Sequence, residues 1–231
     1  MDPRDRLHAG QLASREGRYE EALREFVWFH DHSLEHRPSL YGVRLSFAIA
    51  YWTDLAEVYP PARGKLEEIR DRKTATLARG EGDQDLFHDV ESINQALSDE
   101  DKTYRLFLTM LSNTPKLAHS CAAIALEAII KAGDFQLAAR HSDPPEEALL
   151  RFSSQLNEDI AGLKGDAERI VTATEADVRI YCDRVANVIA ILDGLGKSEE
   201  AIFCRVWAEV LVESSPVRRR VHNLLANRYD V

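Results

Sequence analysis

The sequence predicts an all-α protein, and three observations carry that expectation. Apolar residues recur at three- and four-residue spacing along most of the chain, the period of one helix face. Glycine and proline fall between those segments rather than inside them, where they end and begin helices. Alternating apolar and polar runs, the mark of a half-buried strand, are hard to find.

Taken in order, the spacing predicts helices over Arg4–Glu16, Tyr19–Glu35, Ser39–Val58, Pro61–Leu77, Gln84–Leu97, Glu100–Leu111 and Pro115–Ala132. It continues with Phe135–Arg140, Pro145–Leu163, Asp166–Thr172, Glu175–Leu195, Ser198–Ser214 and Pro216–Tyr229. Pro61, Pro145 and Pro216 stand where the first turn of a helix tolerates proline. Ser198 and Ser215 read as N-caps, and Gly80-Glu81-Gly82-Asp83 as a loop.

One stretch organises the rest. Gly17 follows the first helix, where a residue without Cβ can take the left-handed conformation that closes it. Tyr19, Ala22, Leu23 and Phe26 then share a face, with the small Ala22 admitting a close neighbour and the aromatics filling the groove beside it. Tyr59, Ala62, Leu66 and Ile69 echo Tyr19, Ala22, Phe26 and Phe29. Thr103, Phe107, Met110 and Pro115 form a fainter copy, Gly133, Phe135 and Ala138 another, and Gly196 with Ala201 the last.

This code resembles the tetratricopeptide repeat. Gly10 is the small residue such a hairpin expects, whereas Arg6 stands where the family prefers tryptophan. The copies are spaced unevenly, more regular over 1–140 and degenerate over 141–231. The resemblance implies one domain over 1–231: a right-handed α-solenoid of helical hairpins, each burying its apolar face on its neighbours. Val217, Val221, Leu224 and Leu225 along one side of the last helix, with Arg218, Arg219 and Arg220 near its start, fit a C-terminal cap.

In such folds the first helix of each hairpin lines a concave groove that grips a polypeptide. Carried onto this chain, the groove positions are Arg4, Gln11 and Arg15, then Arg44, Phe47, Tyr51 and Asp54, then His88 and Glu127. Arg44, Phe47 and Tyr51 make the best patch, a guanidinium fork beside aromatic surface. The alternative is that Phe47 and Tyr51 pack against Trp28 or Trp52. Leu7 and Phe47 stand where some members carry a lysine for a carboxylate clamp.

The formal net charge is −10, and the acidity is spread along the chain. That argues against nucleic-acid binding, which needs clustered positive charge, and suits a basic protein partner. The polar start, Met1-Asp2-Pro3-Arg4-Asp5, shows no signal peptide. No apolar run is long enough for a bilayer. Cys121, Cys182 and Cys204 lack metal-type spacing and read as reduced, buried thiols in a cytoplasmic setting.

Two motifs point elsewhere. Gly196-Lys197-Ser198 after an apolar run looks like a phosphate loop, but Ile191 occupies the glycine position that loop requires. His32 and His36 are spaced like zinc ligands on a helix, with His30 nearby, yet no glutamate sits between them as in a metalloprotease. The expected function is therefore a non-catalytic protein-binding module or scaffold without a cofactor. One version is an immunity protein masking a basic toxin. The competing class is a metal- or carboxylate-dependent helical-bundle enzyme.

Overall fold

A computed structural model describes residues 2–229, and every regular element among them is helical. The chain divides into two compact units, 1–128 and 129–231.

The first unit opens with α1 (Pro3–Arg15) and α2 (Tyr19–His36). Asp2 caps α1 by accepting from the Arg4 amide at 2.9 Å. Gly17, at φ 77°, turns the chain. There the Arg18 amide donates to the Ala13 carbonyl at 2.8 Å and the Gly17 amide to that of Ser14 at 3.2 Å, the paired bonds that satisfy a helix C-terminus. Gly133 and Gly196 close their helices with the same pair of bonds, at φ 75°. Gly10 lets α1 and α2 meet: a Cβ there would lie 2.7 Å from the Phe26 ring.

The helix expected over Ser39–Val58 is broken. A 3-10 turn (Pro38–Leu40) leads into α3 (Tyr41–Leu45), and α4 (Phe47–Val58) restarts beyond Ser46. Ser46 leaves helical geometry at φ −119°, ψ −89°, and its hydroxyl donates back to the Gly42 carbonyl at 2.6 Å. Then follow α5 (Pro60–Ala78), α6 (Gln84–Ala96) and α7 (Glu100–Asn113). Each helix packs on its sequence neighbour, and α4 also meets α1, α6 meets α4, and α7 meets α5. Ala22, Phe26, Phe29, Trp52, Ala62, Leu66 and Ile69 lie in this core. The Trp52 indole donates to the Ala62 carbonyl at 2.9 Å.

The division between units falls near the end of α8 (Pro115–Lys131). The second unit holds α9 (Phe135–Arg140), α10 (Pro145–Gly162), α11 (Ala167–Gly194), α12 (Ser198–Val210) and α13 (Ser215–Tyr229). Where two helices are expected over Asp166–Thr172 and Glu175–Leu195, one helix of 28 residues runs through. Thr172 and Thr174 stay in it by donating to the carbonyls four residues back. α9, α10, α12 and α13 all pack on α11, around Val178, Tyr181, Cys182, Val185 and Leu192. Asn157 pins the α12–α13 link: it donates to the Leu211 carbonyl and accepts from the Glu213 amide, both at 3.0 Å.

The caps are aspartates rather than the expected serines. Ser198 and Ser215 are the first residues of their helices, whereas Asp83, Asp134 and Asp166 accept from amides in the first turns of α6, α9 and α11. A carboxylate adds favourable charge at the positive helix end. The three cysteines are free and buried. Among the described residues no helix is long and apolar enough to cross a membrane.

Candidate functional site

The first unit carries two features built from polar chemistry. One is a buried charged cluster. The break at Ser46 leaves Arg44 on the short α3, and Arg44 turns inward to Asp89 of α6, with Nη1 on Oδ1 and Nη2 on Oδ2 at 2.8 Å. Arg44 Nε donates to the His30 carbonyl at 2.7 Å. Lys73 of α5 pairs with Asp89 Oδ2, the oxygen that Arg44 Nη2 also reaches, and donates to His30 Nε2 at 2.9 Å. His30 must accept there, so it is neutral with its proton on Nδ1.

Electrostatics agree with that arrangement. Burial, with Lys73 and Arg44 alongside, pulls the His30 pKa down to about 3. Burial alone would raise Asp89, but the Arg44 hydrogen bond and the Lys73 charge outweigh it and hold the carboxyl below its ordinary range. Tyr41 closes the outer edge, donating to Asp85 at 3.1 Å with His88 Nδ1 3.0 Å from its oxygen. Burial and Asp85 push its phenol up to about 12. Every charge in the cluster is engaged by another side chain of the chain itself.

The second feature is a groove of about 700 Å³ between α2 and α5. Leu23, Val27, Trp28 and Tyr59 supply its apolar floor. Glu20, Arg24 and Asp31 rim one side, and Lys65 and Glu68, ion-paired at 2.9 Å, rim the other. The groove exists because the apolar face of α2 is wider than the core covers. Ala22, Phe26 and Phe29 are fully buried, Leu23 and Val27 pack half-buried on the edge of the core, and these two line the groove with Trp28. Trp28 is held in place by the Arg6 guanidinium, 4.3 Å over its ring, and by His36, stacked at 5.7 Å. Arg6 is itself paired with Glu25 at 3.2 Å.

The expected partner-binding residues scatter around these features. Arg44 is buried at the cluster, so its guanidinium is not presented to a partner. His88 comes to the same α3–α6 contact through Tyr41. Phe47, Tyr51 and Asp54 share one face of α4. Phe47 is 62% exposed, packed on neither Trp28 nor Trp52, while Tyr51 leans on the core. Arg4, Arg15 and Glu127 are exposed, and Gln11 is half-buried.

Sequence reasoning missed Lys73, Asp89 and the α2–α5 groove. The groove did leave a signal, the apolar positions 23, 27 and 28 beside the core-facing ones. The histidines of the suspected metal motif separate into two places: His30 faces Lys73 in the cluster, while His32 and His36 both lie against the Trp28 ring, at 5.5 and 5.7 Å, with His32 also 3.2 Å from Glu35. Among the described residues no three His, Cys, Asp or Glu side chains converge as a metal site requires. Compared with protein-family models, curated proteins and solved structures, the chain matches none.

Proposed function

We propose that this chain is a non-catalytic protein-interaction module that seats an amphipathic helix of a polypeptide partner in the α2–α5 groove. In this reading the first unit is a right-handed stack of tetratricopeptide-like hairpins, and α13 is a terminal cap. The observation that carries it is the groove itself: an apolar floor centred on a braced tryptophan between two rims of mixed charge. Rims from two helices beside an apolar floor suit a helix that presents large side chains at i, i+3/i+4 and i+7. Tryptophan and arginine are among the residue types most enriched where binding energy concentrates. The buried cluster supports the same reading, because its acid and base groups are consumed in holding helices together rather than offered to a substrate.

The test is selection of helical peptides on the immobilised protein. Binders are expected to lose at least tenfold in affinity on Trp28→Ala, with little change on Phe47→Ala, while circular dichroism shows both variants folded. Binders indifferent to Trp28→Ala and Val27→Glu would end the reading.

A further inference from the structure

The charges along the α2–α5 groove are only partly neutralised where they stand. Lys65 and Glu68 close on each other within α5. Glu20, Arg24 and Asp31 are exposed on the α2 rim and, among the described residues, none of the three is held in an ion pair. Glu20, Arg24, Val27 and Asp31 follow one another at steps of four, three and four residues, which sets them in a single line about 16 Å long. Along α2 the line reads acid, base, apolar, acid.

We propose that the groove selects a helix that runs antiparallel to α2 and carries, counted from its first cation, an apolar side chain at +4, an acid at +7 and a second cation at +11. The proposal rests on the reading of the groove as a helix-binding site. Laid against the line, these side chains meet Asp31, Val27, Arg24 and Glu20 in turn, so each open charge gains an opposite one.

Direction follows from helix electrostatics. α2 and α5 run in the same sense, since Tyr19 at the start of α2 lies 5.8 Å from Tyr59, just before α5, and His30 meets Lys73 further along. Their positive N-terminal ends therefore lie together at the Glu20 end of the groove. An antiparallel guest brings its negative C-terminal end there, and its acid precedes its second cation by four residues, the better order of an i,i+4 pair. A parallel guest reverses both. The bare apolar helix of this chain, α12, is not such a guest. It exposes Ile202, Phe203, Val206 and Val210 but carries Glu199, Glu200 and Glu209 against one arginine, so a second copy would bring acids to an acidic rim.

Fluorescence anisotropy on the full chain with three synthetic peptides, stapled to equal helicity and sharing one apolar stripe, tests the proposal. The first carries Lys, Glu and Lys at 0, +7 and +11. The second carries the inverse, Glu, Lys and Glu, and the third carries Lys, Glu and Lys at 0, +4 and +11, the parallel order. An exposed ion pair is worth about twofold in affinity and a like-charge contact costs about as much, so the first should bind at least about tenfold tighter than the second. Added salt should close that gap. The third should bind more weakly than the first, and Arg24→Glu should turn the preference to a peptide with lysine at +7. Equal binding of the first two, lost on Trp28→Ala, would overturn the charge order and leave the groove reading standing. Tightest binding by the third would overturn the direction, and the proposal with it. If none of the three binds in a Trp28-dependent manner, the proposal fails, and selection of peptides without charge bias then decides the groove reading separately.

Discussion

The two units solve the same problem, packing helices, with different chemistry. In the first, each helix from α1 to α6 meets the next, α2, α4 and α5 also meet the next but one, and the buried residues include His30, Arg44, Arg70 and Asp89. In the second, four helices pack on α11, and the buried polar residues there include Ser153 and Thr174, with Tyr181 in the core. Ser153 and Thr174 satisfy their hydroxyls within their own helices, and Tyr181 donates to the Ala208 carbonyl at 2.7 Å. A core of hydrocarbon, hydroxyls and the Cys182 and Cys204 thiols, which burial keeps protonated, holds no charge that needs a partner. A core with two cations around one carboxylate and a neutral imidazole does. The first unit is thereby tied to one arrangement of α2, α3, α5 and α6 and to one range of pH.

The sharpest way to break that contrast is Asp89→Ala. It leaves Arg44 and Lys73 buried without their counter-charge, and removing one member of a buried pair costs about 3–5 kcal/mol. Hydrogen exchange resolved along the chain should show protection lost across α2 to α6 and retained around α11. Equal loss in both units would refute the contrast.

Acid should act on the same unit. Folded His30 resists protonation down to about 3, whereas an unfolded histidine binds its proton near 6.5. Between those values the unfolded chain holds the extra proton, so stability falls as pH falls. Asp89, held low, adds to the loss below its ordinary pKa near 3.8. From pH 7 to pH 4 the first unit should lose about 3 kcal/mol through His30, and His30→Gln should flatten that dependence. Melting curves at several pH values measure both effects.

The smallest expected effect sharpens the comparison of helix ends. Ser98, at φ 58°, closes α6 with the bonds glycine makes elsewhere: its own amide donates to Gln95 and the Asp99 amide to Asn94. A left-handed serine is strained by its Cβ. Ser98→Gly should stabilise the first unit by about 1 kcal/mol, read as a shifted denaturation midpoint, whereas alanine substituted at Gly17 or Gly196 should do the reverse.

Much of the helical layout was legible because its signals are local. The glycine corners, the Ala22 and Ala62 positions and the close approach at Gly10 follow from spacing and residue size. The site was less legible. Arg44 sits in a helical pattern beside aromatics and looks like a surface fork. Only the turn at Ser46 and the arrival of Asp89, 45 residues later, put it in the core. Likewise, the exposed stripe on α12 reads as core in sequence, because Ile202, Phe203, Val206 and Val210 are as apolar as the residues that are buried.

By itself, the sequence determined that the chain is helical, where most helices end, and which small residues let them touch. These are properties of residues a few positions apart, and backbone sterics settle them before any long-range contact forms. The tertiary structure alone decided which charges are buried together, which apolar faces stay bare, and how the helices group into two units. Those outcomes depend on which distant side chains arrive at one place, and a charge or an apolar stripe has no assigned side until its neighbour is there.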